Sequence, residues 1–241
     1  MKWSESYTVN IHDLDQNGNM RPSAVLRCMQ SAAYNQLEAS PLCSEYLKSR
    51  SLAFILSKIN IDFLKPLHKD DSVTVQSWPH GERGFSFFRS YRILRGDELC
   101  ASACSVWALT DMQTRRLAKT GDVPSLPIDR EEAAVSLPAR IAVPSNDVLC
   151  PCGEYSVCFA DIDANHHMNN TRYPDMLCNF IPDMDQKIVR ALAINFQTEA
   201  RQFESLQIMR ASLPDRIWYF QSMHGDGKTN IEAYVQTDPL D

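Results

Sequence analysis

The sequence has no long hydrophobic run and little glycine, with 8 Gly in 241 residues. No stretch approaches the roughly 20 apolar residues that a membrane-spanning helix needs, so we expect no stable insertion into a bilayer. The first seven residues contain neither the apolar core of a secretory signal nor an Arg-rich amphipathic leader. The 8 cysteines are scattered rather than dense, which is typical of thiols that stay reduced. Together these features predict a cytoplasmic protein.

Extremes of composition are missing too. Hydrophobic residues make up 44% and charged residues 22%, which argues against disorder, collagen or a coiled coil as the overall class. The net charge of −6 argues against a nucleic-acid-binding protein. Residues 1–128 hold 15 Lys and Arg against 13 Asp and Glu, whereas residues 129–241 hold 9 against 17. An acidic partner should therefore prefer the first half of the chain.

A short polar motif occurs twice, at an offset of 148 residues. Residues 13–20 and 161–168 both follow the pattern Asp-aliphatic-Asp-x-Asn-x-(Asn or His)-Met. In each copy a strand-like run precedes the motif, and a segment of helical character follows it. This agreement predicts two copies of one structural module.

Hydrophobic periodicity predicts the same order of elements in both copies. Apolar residues recur at helical spacing over residues 22–37, and Pro22 favours a helix start. A shorter helix is expected over about residues 170–181, stopped by Pro182. Alternating apolar and polar residues then predict several antiparallel strands. A helix packed on an antiparallel sheet, present twice, is an α+β architecture. We expect modules at residues 1–120 and 155–241, joined by a proline-rich connector, 121–154, with room for one short strand.

The second motif carries the richer chemistry. It places Asp163, Asn165 and His167 in a short loop before a helix. Unpaired N–H groups at a helix start favour negative charge, so those near Asn170 could stabilise a carbonyl oxygen that becomes an oxyanion. In the first copy Asn19 stands where the second has His167, so we assign the chemistry to the second copy and a structural role to the first.

A calcium loop is a competing interpretation of the motif. Asp13, Asp15, Asn17 and Gly18 match the opening of an EF-hand pattern. The twelfth position, which should supply a bidentate Glu, is Ala24. We therefore expect no calcium site.

Zinc binding and plain helix capping also compete as interpretations. Paired zinc-ligand spacing is absent from the nearby thiols and imidazoles, which are Cys150, Cys152, Cys158, Cys178, His166 and His167. Capping by Asx residues explains Asn169 and Asn170 but does not require an imidazole or two alternate carboxylates. We predict a reactive site without a metal.

At these residues the sequence resembles the acyl-ACP thioesterases of plants and bacteria. The run from Asp161 to Tyr173 is similar to the family's signature, and residues 103–107 with 114–119 resemble a segment of its first half. The likeness spans nearly the whole chain. It implies a tandem (double) hotdog fold, paired as a homodimer, that hydrolyses fatty acyl-ACP and so terminates fatty acid synthesis. It implies no cofactor.

Site residues follow from the same resemblance. The positions that match the family's catalytic residues are Asp163, Asn165, His167 and Glu199. The Cys that the family carries after its Glu is here Ala200. This difference disfavours a Cys nucleophile and leaves attack by water or an acyl-carboxylate intermediate open. For substrate binding we expect Asn169 and Asn170, with Leu26, Met29 and Ala33 of the first helix as a wall for the acyl chain.

The carrier and the reaction have rivals. ACP is acidic, and a basic surface for it is expected on the first half, from Arg83, Arg89, Arg92, Arg95, Arg115, Arg116 and Lys119. An acyl-CoA thioesterase is the rival enzyme, although no phosphate-binding loop is apparent. A dehydratase of the same fold fits the motif less well. A non-catalytic acyl-binding hotdog is the rival outside enzymes, but a binder does not need the four candidate catalytic side chains.

Overall fold

The chain forms two compact units, seen in a computed structural model. The structure describes residues 2–119, 123–124, 128–129, 131, 135–136, 138–145 and 148–240. Residues 1–20 and 24–138 make the first unit, and residues 21–23 and 139–241 make the second. The remaining residues of the predicted connector 121–154 lie outside the described part of the chain.

The first unit is built on an antiparallel sheet. Its strands are β1 (Trp3–Thr8), β2 (Leu52–Phe63), β3 (Ser72–Arg83), β4 (Ser86–Arg95), β5 (Glu98–Asp111) and the short β6 (Arg116–Leu117). The strand order is β1-β3-β4-β5-β2, with β6 beside β5. Along β4 and β5 the buried side chains include Tyr91, Ile93 and Leu109, each at most 1% exposed. This apolar face forms the core because burying a large aliphatic or aromatic side chain contributes about 1.5–3 kcal/mol.

Two helices belong with this sheet. Helix α1 (Pro22–Glu38) begins at a proline, which is pre-organised for the first helical turn. Its side chains Leu26, Met29 and Ala32 are fully buried. Helix α2 (Pro41–Ser49) also begins at a proline. Its Cys43 and Leu47 pack in one cluster with Leu109 of β5.

The second unit repeats the plan with shorter elements. Its strands are β7 (Cys150–Ser156), β8 (Lys187–Phe196), β9 (Ser205–Leu213), β10 (Ile217–Met223) and β11 (Thr229–Pro239), in the antiparallel order β8-β11-β10-β9-β7. Helix α3 (Tyr173–Asn179) follows one turn of 3-10 helix, Asn170–Arg172. The ring of Tyr173 packs edge-on against Phe196 of β8, with centroids 5.4 Å apart, which seats α3 on the sheet.

The predicted α+β class and the order of elements are confirmed. The helix predicted over residues 22–37 is α1. Strand β7, which precedes the second motif as β1 precedes the first, begins at Cys150 inside the predicted connector and ends at Ser156 beyond it. The second helix is shorter than the predicted 170–181, because its first turn is 3-10 and its last residue is Asn179. Helix α2 was not predicted, since its nine residues give only two turns of periodicity.

Candidate functional site

The two copies of the polar motif fold into the same backbone loop, and we name them the first loop (residues 10–20) and the second loop (residues 158–168). In each loop a buried Asp accepts two hydrogen bonds, one from a Tyr hydroxyl and one from the backbone N–H three residues earlier. The donors to Asp13 Oδ2 are Tyr7 Oη at 2.6 Å and Asn10 N at 2.9 Å, and those to Asp161 Oδ2 are Tyr155 Oη at 3.0 Å and Cys158 N at 2.9 Å.

A tight hairpin completes each loop. Its ends are joined by the bridges Leu14–Met20 and Ile162–Met168. Inside it, Asp15 N donates to Asn19 O at 2.8 Å, and Asp163 N donates to His167 O at 3.1 Å. Each residue in these contacts of the first loop has its counterpart 148 residues later in the second loop. The repeat predicted from the sequence is therefore confirmed in the backbone.

The tip of each hairpin holds a residue in the left-handed conformation. Gly18 has φ +80° in the first loop, and His166 has φ +64° in the second. Glycine adopts this conformation freely, whereas a residue with a Cβ is strained there. The second loop therefore carries a conformational cost that the first loop avoids.

Asp163 and His167 form the centre of the second loop. His167 Nδ1 lies 3.9 Å from Asp163 Oδ1, and their side chains are 19% and 20% exposed. The two groups are thus close enough to interact and still reachable by a small molecule. His167 Nδ1 also lies 3.3 Å from the carbonyl oxygen of Met168, which orients the ring. A carboxylate beside an imidazole is an arrangement suited to moving a proton.

The Asp163 carboxylate is held by its neighbours. Asn165 donates its backbone N–H to Asp163 Oδ1 at 2.8 Å, while the Asn165 residue itself is exposed. Asn169 Nδ2 donates to the second oxygen, Asp163 Oδ2, at 3.4 Å. Asn165 therefore fixes the carboxylate through its backbone N–H.

Asn169 also caps the helical turn that follows. Its Oδ1 accepts from Thr171 N at 2.9 Å and from Thr171 Oγ1 at 2.8 Å, and its carbonyl oxygen accepts from Arg172 N. The expectation that several N–H groups at this helix start could hold an oxyanion is therefore wrong for Thr171 and Arg172. The N–H of Asn170 donates to no residue in the described part of the chain, and it remains for that role.

Glu199 lies on the segment that follows β8. Met168 N donates to Ala200 O at 2.8 Å, so this segment runs beside the end of the second loop. His167 and Glu199 are the residues immediately before this bonded pair. The Glu199 residue is exposed. Burial raises the pKa of Tyr173, and the negative charges of Glu204 and Glu199 add to that effect, which places Glu199 within electrostatic range of the Tyr173 phenol.

A polar network that no sequence motif predicted anchors the Glu199 segment. Thr198 Oγ1 lies 2.8 Å from His224 Nε2, and His224 Nδ1 lies 3.1 Å from Glu204 Oε2. Asn230 Nδ2 donates to the carbonyl oxygen of Thr198 and to the Tyr173 hydroxyl. These residues come from separate segments of the chain, so their local sequence gives no signal of the network.

Asp13, which in the first loop corresponds to Asp161, is ionised at neutral pH. Burial would raise the pKa of Asp13, but hydrogen bonds from the Tyr7 hydroxyl, the Asn10 N–H and the Arg27 guanidinium outweigh burial and leave this pKa below its usual value. In the second loop, burial and the Asp161 charge raise the pKa of Tyr155 to about 12. Both tyrosines are thus neutral donors to a carboxylate at neutral pH.

Comparison with known proteins identifies the family to which this chain belongs. Residues 1–123 match the family model described as the acyl-ACP thioesterase N-terminal domain, and residues 151–236 match the C-terminal domain. The chain belongs to the acyl-ACP thioesterase family. The matched ranges contain both loops and the four candidate catalytic residues.

Individual members of the family are distant from this chain in sequence. It is 20% identical over 237 residues to the chloroplastic acyl-[acyl-carrier-protein] hydrolase FATB3 of Cuphea viscosissima, with 90% of this chain and 56% of that protein covered. The chain thus spans little more than half the length of that relative.

Solved structures share the fold over almost the whole chain. A crystal structure of an acyl-ACP thioesterase from Bacteroides thetaiotaomicron is similar with a TM-score of 0.88 at 19% identity, covering 98% of both chains. One of a putative oleoyl thioesterase from Lactobacillus plantarum gives 0.85 at 20% identity, covering 100% of this chain and 97% of that one. The predicted double hotdog fold is therefore confirmed.

The first unit of this family member contains a cavity of about 290 Å³. Its lining comes from α1, α2 and β2–β5 and is mostly apolar, with Leu37, Leu47, Phe54 and Phe87 among it. Ala33, one of the three residues expected to wall the acyl chain, lines this cavity. Leu26 and Met29 are fully buried and are not part of its lining.

The seven basic residues expected to form a surface for ACP divide into three groups. Arg89 is only 7% exposed, so its expected place on a docking surface is wrong. Arg92 pairs with Glu131 at 2.6 Å, and Arg95 pairs with Asp71 and Glu98. The residues that stay exposed are Arg83, Arg115, Arg116 and Lys119.

Membrane-spanning helices and metal sites were also searched for among the described residues. None of the described helices is long and apolar enough to span a bilayer. Within the described ranges, no three His, Cys, Asp or Glu side chains come together as a metal site.

Proposed function

We propose that this protein hydrolyses the thioester of fatty acyl-ACP and releases the free fatty acid, which terminates chain elongation. The observation that carries the proposal is the difference between the two loops. Both have the same backbone, but the position that Asn19 occupies in the first loop is occupied in the second by His167, whose imidazole lies 3.9 Å from the carboxylate of Asp163. A purely structural loop does not need that pair.

The hydrolysis needs a placed water, a proton acceptor and a site for the oxyanion. Asp163 or Glu199 holds the water and takes its proton, so that the water oxygen forms a bond to the carbonyl carbon. The carbonyl oxygen becomes an oxyanion near the N–H of Asn170. When the C–S bond breaks, the protonated imidazole of His167 gives its proton to the leaving thiolate, and the carboxylic acid passes the proton it took from water back to His167, which restores both groups.

The hydrogen bonds around Asp163 suit it to act as the general base. Asn165 N and Asn169 Nδ2 address its two oxygens, which limits rotation of the carboxylate. Asn169 thus positions Asp163, while Asn165 holds it through the backbone. Because Ala200 replaces the Cys that follows the family's Glu, the step proceeds without a Cys nucleophile.

The first unit is proposed to bind the acyl chain, as predicted for residues 1–120. The apolar lining of its cavity, with Ala33 of α1, supports this role. Each buried methylene is worth about 0.8 kcal/mol, so such a cavity can discriminate chain lengths only in small steps. The exposed cations Arg83, Arg115, Arg116 and Lys119 would face the acidic carrier. A cytoplasmic location and a homodimer remain predictions.

A single assay tests the proposed reaction. The purified full chain is mixed with saturated acyl-ACPs of 8 to 18 carbons and with the matching acyl-CoAs, and the released fatty acid is measured. We expect turnover of acyl-ACP with a preferred chain length and a lower kcat/KM for the CoA esters. Equal or better use of acyl-CoA would favour an acyl-CoA thioesterase. Chain binding without release from either carrier would identify a non-catalytic acyl-binding protein.

A further inference from the structure

The cavity of the first unit contains one buried cation. Three charged side chains line it: Glu38, Lys48 and Arg89. Lys48 Nζ and Glu38 Oε2 pair with each other at 3.1 Å, and both side chains are well exposed, so they belong to the mouth. Arg89 is the remaining charge, and it is 7% exposed.

The Arg89 guanidinium uses only part of its hydrogen-bonding capacity. Its Nη1 donates to Gln36 Oε1 at 2.6 Å and to Ser77 Oγ at 2.8 Å. A guanidinium has five N–H groups. In the described part of the chain, the three on Nε and Nη2 donate to no residue. They are not among the fully enclosed polar atoms without a partner, which are Ser23 Oγ and Tyr219 Oη for the described residues. Arg89 is one of the residues that line the cavity.

Nothing described in the protein balances the Arg89 charge. Neither of its hydrogen-bond acceptors is ionisable, since one is an amide and the other a hydroxyl. The acidic groups that act on it are the Tyr91 phenol and the Cys43 thiol. Burial raises the pKa of both groups, so both are neutral at pH 7. Burying a cation without an anion costs free energy. Arg cannot avoid this cost by losing its proton, because it stays protonated at any ordinary pH.

The rest of the lining suits a hydrocarbon chain. Phe54 and Phe87 meet edge to face with ring centroids 4.7 Å apart, and Leu37, Leu47 and Trp107 continue the apolar surface. The volume of about 290 Å³ is roughly ten times the 30 Å³ that a water molecule occupies in the liquid. This leaves room for a chain of medium length.

We infer that this cavity binds a free medium-chain fatty acid, with its carboxylate on the Nε and Nη2 groups of Arg89 and its chain along Phe54 and Phe87. A carboxylate offers two acceptor oxygens in the geometry that a guanidinium fork matches. The biological sense of the site rests on the proposed function, since the guest is the product of that hydrolysis. The bound acid occupies the cavity assigned to the acyl chain and so excludes new substrate.

The test measures binding directly and does not depend on turnover. Decanoate and decanol have the same chain length but differ in charge, and each is titrated into the full-length protein by calorimetry at pH 7.5. We expect decanoate to bind at least ten-fold more tightly than decanol. Arg89→Gln should bind decanoate at least ten-fold more weakly and decanol unchanged. The matched control is Arg92→Gln, on the same strand but paired with Glu131, which should bind both as the wild type does.

Two results would overturn the inference. The first is equal affinity of the wild-type protein for decanoate and decanol, which needs no variant and therefore stands even if Arg89→Gln does not fold. The second is undiminished decanoate binding by a folded Arg89→Gln protein. In either case Arg89 serves only to tie Gln36 of α1 to the sheet. Failure of the hydrolysis assay would leave both readouts unaffected.

The carboxylate could instead come from the far end of a dicarboxylic acyl substrate. Sebacoyl-ACP and decanoyl-ACP separate these sources, since they differ only in a terminal carboxylate. Faster hydrolysis of sebacoyl-ACP than of decanoyl-ACP, lost in Arg89→Gln, together with no binding of decanoate, would overturn the free-acid assignment. Binding of decanoate with no preference for sebacoyl-ACP supports it.

Discussion

The carbonyl oxygens of His167 and Asn19 accept equivalent hydrogen bonds, from the N–H groups of Asp163 and Asp15 respectively. The two residues thus hold the same place in two copies of one loop, 148 residues apart. Because the backbone is shared, the imidazole is the main chemical difference at this position. The first loop therefore serves as an internal control for the second.

Asp163→Asn, His167→Ala and Glu199→Gln should each lower kcat for acyl-ACP by about 100-fold or more, the usual loss when a general acid or base is removed. The proteins should stay folded, since all three side chains reach solvent. The matched control is Asn19→Ala, which should turn over within about two-fold of the wild type. Steady-state kinetics, with circular dichroism for folding, checks this. Wild-type turnover by all three site variants would discard the site.

Tyr7→Phe should lower the free energy of unfolding at pH 7 by about 1.5–3 kcal/mol, since it removes a hydrogen bond to the buried Asp13 carboxylate. The folded-state pKa of Asp13 is below its unfolded value, so the stability it adds is fully present at neutral pH. This stabilisation is lost when the pH falls from about 4, near the unfolded pKa of Asp, to below the lower pKa that Asp13 has in the folded state. The deficit of Tyr7→Phe should therefore shrink in strongly acidic solution.

Urea unfolding at pH 7 and in steps down to pH 3 measures this effect. Tyr34→Phe is the control, because Tyr34 is 62% exposed and its hydroxyl bonds to no described residue. A Tyr7→Phe deficit that grows as the pH falls would contradict the expected sign.

His166→Gly should raise the stability of the protein by up to about 1 kcal/mol. His166 has a left-handed φ of +64°, which costs about 1–2 kcal/mol in a residue with a Cβ. Glycine removes this cost, but it also raises the conformational entropy of the unfolded chain, which cancels part of the gain in stability. Gly18→Ala at the equivalent position should do the reverse. No atom lies within 4 Å of a Cβ built on Gly18, so its cost would be conformational alone. Thermal unfolding of both variants checks the pair, and a loss of stability in His166→Gly would contradict the reasoning.

The double variant Arg116→Glu/Lys119→Glu should raise KM for acyl-ACP several-fold and leave KM for a small thioester nearly unchanged. Both residues are exposed, and a reversed charge would repel an acidic carrier. Lys228→Glu is the control, because Lys228 pairs with Asp226 within its own hairpin in the other unit. The effect should fade at high salt, since exposed charges are screened. Equal changes of KM for both substrates would remove this surface from the proposal.

Much of the fold follows from local patterns in the chain. The repeat at 148 residues, the proline-started helix α1 and the alternating strands all depend on neighbouring residues, so they could be predicted without coordinates. Helix α2 has too few residues to give a clear period, and α3 was overestimated because one of its turns is 3-10. The candidate residues Asp163 and His167 lie four positions apart, which is why a motif could find them.

Other features depend on residues far apart in sequence. The sequence determined which residues carry reactive groups and that a polar loop was used twice. Only the tertiary structure decided that Asn169 accepts hydrogen bonds from the N–H groups of Thr171 and Arg172. It also decided that Arg89 is a buried cation in a cavity rather than part of a basic surface. A side chain's charge is a local property, but its burial and its partners depend on segments that meet only when the chain folds, such as Gln36 of α1 and Ser77 of β3 around Arg89.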